Sequence, residues 1–169
     1  NVFEGVKEDS RPWQLDPIPA LIKQDDWSDL SSGLKQRAEL LNLILGDLYG
    51  ERLLVKEKLL PADLVFNHPG FIRACDQIKS GAIKDLHFYA CDLMRGADSK
   101  IWVVGDRTQS PSGMGYTLEN RMVTTRLMAD ELRQNHVQRL SGFFRRFRDT
   151  WFNLKDWQKE NLSIVVLTP

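Results

Sequence analysis

Residues 92–121 read Asp92-Leu-Met-Arg-Gly-Ala-Asp-Ser-Lys-Ile-Trp-Val-Val-Gly-Asp106-Arg107-Thr-Gln-Ser110-Pro-Ser112-Gly113-Met-Gly-Tyr-Thr117-Leu-Glu-Asn120-Arg121. Two apolar runs, Leu86 to Met94 and Ile101 to Val104, flank the polar connection Arg95 to Lys100, which predicts a hairpin of antiparallel strands. Asp92 stands near the end of the first strand and Asp106 follows the second. If these strands pair, the two carboxylates approach each other at one end of the sheet, and such a pair suits a hard cation such as magnesium. The Gly/Ser/Pro-rich loop over 105–115 then adds Arg107, the hydroxyls of Thr108, Ser110 and Ser112, and the glycines Gly113 and Gly115. Thr117 is expected to cap the following helix, with Glu119, Asn120 and Arg121 in its first turn. Backbone N–H groups at a glycine-preceded helix start form an anion site. Gly113-Met-Gly115 is too short for a dinucleotide fingerprint, and a Walker-type Gly-Lys-Ser/Thr is absent from the sequence.

Upstream, Trp27, Leu30, Leu34, Leu41, Leu45 and Leu48, with Ala38 between, recur at steps of three, four and seven. That spacing predicts a long amphipathic helix over 26–49, stopped by Gly50. Residues 51–60 fit a short strand or a helical turn, Pro61 opens a short helix through Phe66, and Asn67-His-Pro-Gly70 is a turn. Residues 1–20 form an extended, proline-containing lead-in that is expected to pack through Trp13, Leu15 and Ile18. Downstream, helices are expected at 117–132 and 142–157. The closing run Ser163 to Thr168 reads as a buried strand, the first of a parallel sheet. The fold class is α+β: an antiparallel hairpin-containing sheet packed with amphipathic helices, in a single partial domain over 1–169.

Composition bounds the function. Lys plus Arg equals Asp plus Glu at 23 each, which argues against a dedicated nucleic-acid binder or a polybasic membrane binder. Surface scaling leads one to expect roughly 70% of the unfolded chain's area to be buried at this size. Cys75 and Cys91 lack zinc-ligand spacing and are too few for a disulfide framework, so reduced thiols in a cytoplasmic protein are expected. No apolar run approaches the ~20 residues of a membrane span. The start at Asn1 and the stop at Pro169 after an apolar run suggest an excerpt from a longer protein.

An ordered set of motifs runs through the chain: Gly33-Leu-Lys-Gln-Arg37, Leu41-Asn-Leu43, Pro61-Ala-Asp-Leu-Val-Phe66, Asn67-His-Pro-Gly-Phe71, Asp92-Leu93, Pro111-Ser-Gly113 and Leu118-Glu-Asn-Arg121. From about Arg11 to Pro169 this set closely resembles the circularly permuted ATP-grasp proteins of type 2, relatives in fold of glutathionylspermidine synthetase. The resemblance implies a partial ATP-grasp fold that ends at the start of an α/β region. It also implies an ATP- and magnesium-dependent carboxylate–amine ligase, with a nucleotide and a peptide-like small substrate as partners. The portion expected to be missing, C-terminal in the same chain, would carry most nucleotide contacts, leaving this piece inactive alone.

The resemblance also marks a departure. Where many relatives carry Glu-Asp-Asn at the end of the second strand, this chain has Gly105-Asp106-Arg107. A guanidinium has no lone pair to offer a cation. Either Asp106 rotates in as a substitute ligand or ordinary metal binding is lost; because Asp92 is retained, Asp92 and Asp106 are the expected metal ligands. Arg107 is the expected catalytic cation, and Ser110, Ser112, Gly113, Asn120 and Arg121 are the expected binders of phosphate or a substrate carboxylate. The rival expectation is a non-catalytic ATP-grasp-like scaffold or peptide-binding module. Elsewhere, His68 reads as a local hydrogen-bond partner in its turn and Cys91 as a core residue. Phe143, Phe147, Trp151 and Leu154 read as the packing face of an amphipathic helix, leaving Arg145, Arg148 and Asp149 to solvent.

Overall fold

A computed structural model describes residues 14–78 and 84–152. The long helix α1 spans Gln24–Tyr49 and ends at Gly50, as the apolar spacing requires. Leu30, Leu34, Ala38, Leu41, Leu45 and Leu48 are half-buried along its inner face, whereas Leu40 and Leu43 on the outer face are exposed. Arg52 adopts a left-handed conformation (φ 60°) and turns the chain into the single-turn helix α2, Leu53–Lys56. The Asp47 carboxylate caps that turn by accepting from the N–H groups of Leu53 at 2.7 Å and Leu54 at 3.0 Å. Helix α3, Ala62–Phe66, follows Pro61 and carries Val65, the one buried apolar side chain among the described residues.

Aromatic stacking closes this end of the molecule. Phe71 lies flat on Tyr49 at 4.8 Å between ring centroids and edge-on to Phe66 at 5.1 Å. The Arg52 guanidinium sits over the Phe66 ring and pairs with Asp76. About two turns back along α1, the Asn42 side-chain carbonyl accepts from both Asp85 and Leu86 N–H groups at 2.9 Å, so α1 is the spine along which the later chain is hung.

The sheet is a two-stranded antiparallel hairpin of β1, Ala90–Arg95, and β2, Ile101–Arg107. The first strand begins later than the apolar run, at Ala90, since 86–89 lie outside the ladder; the second runs three residues beyond Val104. Three helices follow: α4 over Met114–Leu127, α5 over Ala129–Gln134 and α6 over Ser141–Phe152. The single helix expected over 117–132 is thus two, divided at Met128, whose φ of −134° and ψ of 46° are not helical. α6 packs part of its expected aromatic stripe: Phe147 meets Phe88 at 5.3 Å and Trp151 meets His87 at 5.4 Å, whereas Phe143 is exposed and Arg148 and Asp149 pair in solvent. Ile18 in the lead-in is 77% exposed rather than packed, and Leu15 is half-buried. Trp13, Leu154 and the expected strand over 163–168 lie outside the described residues.

The architecture is α+β, and among the described residues Val65 is the one buried apolar side chain while many large apolar groups are exposed.

Candidate functional site

The hairpin decides how the acidic residues are disposed. From its turn the strands pair Arg95 with Ile101, Met94 with Trp102 and Leu93 with Val103; beyond that, Asp92 pairs with Gly105, Cys91 with Asp106 and Ala90 with Arg107. Val104 is therefore an extra residue in β2, a bulge. Continued without it, the ladder would set Ala90 against Asp106 and bring Asp106 to the face that holds Asp92. One inserted residue reverses that side. Asp92, Gly105 and Arg107 share one face of the ribbon, and Cys91 and Asp106 the other. The expected convergence of Asp92 and Asp106 on a common ion does not occur.

Each carboxylate instead has its own guanidinium. Asp106 receives a two-pronged pair from Arg37 of α1, Nε to Oδ1 at 2.7 Å and Nη2 to Oδ2 at 2.6 Å. Tyr89 donates its hydroxyl to the same Oδ1 at 2.7 Å. Hydrogen bonds from Arg37 and then Tyr89 hold the Asp106 carboxyl down, to a pKa of about 2, against a smaller opposing effect of desolvation. Partial burial, followed by the bond to Asp106, raises the Tyr89 phenol above its ordinary value. This brace fixes the hairpin on α1.

Asp92 is held on the other face by Arg107, with Nη2 at 2.9 Å from Oδ2 and Nε at 3.1 Å from the same atom. Gly105 faces this pair, and a β-carbon there would lie 3.2 Å from Asp92 Oδ2. The Arg107 side chain remains 59% exposed beyond this contact.

The loop from Thr108 to Gly113 leads into α4 through two left-handed residues, Ser110 at φ 44° and Gly113 at φ 109°. Gly113, not Thr117, is the N-cap. Thr117 lies one turn inside, its hydroxyl donating back to the Gly113 carbonyl at 3.0 Å. Consequently Asn120 and Arg121 are in the second turn, away from the helix start. Arg121 Nη1 donates to the Gln138 carbonyl at 2.8 Å and so ties α4 to the connection before α6. Ser110 and Ser112 stay exposed beside the uncapped first turn of α4. His68 behaves as a turn residue, its Nδ1 accepting from the Gly70 N–H at 3.0 Å. A β-carbon on Gly70 would lie 3.8 Å from Gln109 Oε1, so this turn borders the loop after β2.

The sequence model of circularly permuted ATP-grasp type 2 proteins matches residues 19–169. The chain belongs to that family. Among similar sequences, an uncharacterized protein of Mycobacterium tuberculosis is 37% identical over 94% of this chain and 18% of its own length. An uncharacterized protein of Synechocystis is 35% identical over the whole chain and 34% of its own length. A protein of Frankia casuarinae named as a putative glutamate–cysteine ligase 2-2 is 33% identical over 79% of this chain and 15% of its own length. The chain therefore spans about a third or less of these relatives, and its α+β architecture is that of a partial ATP-grasp fold.

The ATP-grasp family generally binds ATP and magnesium. The hairpin donors do not suit a shared magnesium ion: the two acids face apart and each is already neutralised. Among the described residues no three His, Cys, Asp or Glu side chains cluster as a metal site. Nor is any described helix long and apolar enough to cross a membrane.

Proposed function

We propose that this chain is the N-terminal part of an ATP-dependent carboxylate–amine ligase acting on a peptide-like substrate, and that residues 1–169 form one incomplete domain of it. In the reaction a substrate carboxylate oxygen takes the γ-phosphoryl group of ATP, releasing ADP. An amine nitrogen then attacks the acyl carbon, the C–O bond to phosphate breaks, and an amide and inorganic phosphate result. The chemistry is largely positioning and charge stabilisation.

Family membership over 19–169 carries this reading, and the β2–α4 loop supports it. Arg107 offers an exposed guanidinium, Ser110 and Ser112 offer hydroxyls, and the uncapped N–H groups after Gly113 lie at the positive end of α4. Together these suit a phosphate or a substrate carboxylate. Arg121 serves by position, holding α4 against the Gln138 carbonyl. No step is assigned to a metal at the hairpin.

ADP release by the longer polypeptide, dependent on both a carboxylate and an amine, tests the proposal. Arg107→Ala is expected to lower kcat by about 10²–10³-fold if its guanidinium meets the transferring group. The second reading, a non-catalytic scaffold, is favoured by one observation, that both hairpin acids are paired with arginines. Calorimetry with magnesium ATP separates the two, since a scaffold of this kind shows no heat of nucleotide binding.

A further inference from the structure

We infer that the protein supplies its own cation at this hairpin: the Arg107 guanidinium engages Asp92, the cross-strand partner of Gly105, and a divalent ion is not held there. The choice of a divalent ion as the competitor rests on the ligase reading; the geometry stands without it.

Three observations lead here. First, a side chain at 105 projects from the same face as Asp92, because the two are cross-strand partners. A carboxylate at that position would complete a pair of acids; glycine supplies none. Second, Arg107 lies two residues further along the strand, on that same face, and reaches both oxygens of Asp92, the longer contact being Nε to Oδ1 at 3.3 Å. A cation approaching Asp92 has to displace this fork and then stands beside a like charge. Third, the remaining nearby acid, Asp106, is turned to the opposite face and spent on Arg37 and Tyr89. Rotating it inward would break three hydrogen bonds and detach the hairpin from α1. The two arginines thus do different work: Arg37 anchors, and Arg107 neutralises.

Manganese, titrated into the protein and followed by electron paramagnetic resonance of the free ion, tests the inference. The wild type is expected to take up the ion weakly and with no change on Asp92→Asn or Asp106→Asn. In a Gly105→Glu/Arg107→Asn double variant the ion is expected to bind at least about tenfold tighter, the gain vanishing when Asp92→Asn is added. Wild-type binding that falls about tenfold on either single acid-to-amide change would overturn the inference. So would a double variant that keeps its helical circular dichroism but gains nothing. If the double variant loses that signal, the wild type and its two amide variants still decide. An absent ligase reaction with the same manganese results would sink only the proposed function, and an active ligase that holds manganese through Asp92 would sink only this inference.

Discussion

Asp106 shows what one side chain contributes and how to detect it. Its carboxyl is depressed from 3.8 to about 2 in the folded chain, so the stabilisation it supplies is complete above the unfolded value. Stability is lost as pH falls from about 4 through 2, because the unfolded chain takes up the proton first. Melting temperature against pH is therefore expected to drop through that window in the wild type and to flatten there in Asp106→Asn. Tyr89 acts with the opposite sign. Its raised phenol supports the fold below pH 10 and that support fades as pH climbs further. Tyr89→Phe should cost about 1 kcal/mol at neutral pH and remove the alkaline component of the melting profile. Sequence reading selected Asp92, Asp106 and Arg107 as the chemically loaded positions, but it could not see their partners. Arg37 lies 69 residues from Asp106, and Tyr89 carries no motif. A guanidinium contributed by a distant helix leaves no trace in local spacing.

At the level of elements, periodicity was a good guide wherever one face packs. The half-buried leucines of α1 and Phe147 and Trp151 of α6 fall where three-and-four spacing places them, whereas Trp27 and Phe143, expected on the same faces, are exposed. Boundaries failed for a specific reason at α4, where a threonine looked like a cap and the left-handed Gly113 did the work. Two glycines in that segment are expected to respond in opposite directions. Gly113→Ala forces a β-carbon into φ 109° and should cost about 1–2 kcal/mol. Gly115→Ala, in open space inside the helix, should gain about 0.5–1 kcal/mol. Thermal melts monitored by circular dichroism read both changes. The hairpin itself was legible from its two apolar runs. Its bulge was not, because nothing in Val103-Val104-Gly105 announces which residue falls out of the ladder.

For the molecule as a whole, surface area is the informative quantity. Trp102, Met94 and Val104 are each more than half exposed on the hairpin, as are Leu40 and Leu43 on α1. Apolar groups in that state weaken the hydrophobic contribution that cooperative unfolding depends on. The 169-residue chain by itself is therefore expected to bind the dye ANS and to unfold over a broad range of urea, with a low m-value for its length. A sharp transition without dye binding would show that these faces are covered in solution. Composition predicts enough apolar material for a core, yet among the described residues Val65 alone is buried; composition carries no information on what lies across from a face.

The extra residue at Val104 has a consequence for comparing relatives. Because strand sidedness has a parity of two, a single insertion exchanges the outward and inward sets for every position beyond it. Two homologous hairpins can then agree letter by letter in an alignment column and still present that letter to opposite environments. Function transferred between such proteins has to be counted in residues from the turn, and a length change of one codon can retire an ancestral ligand without mutating it.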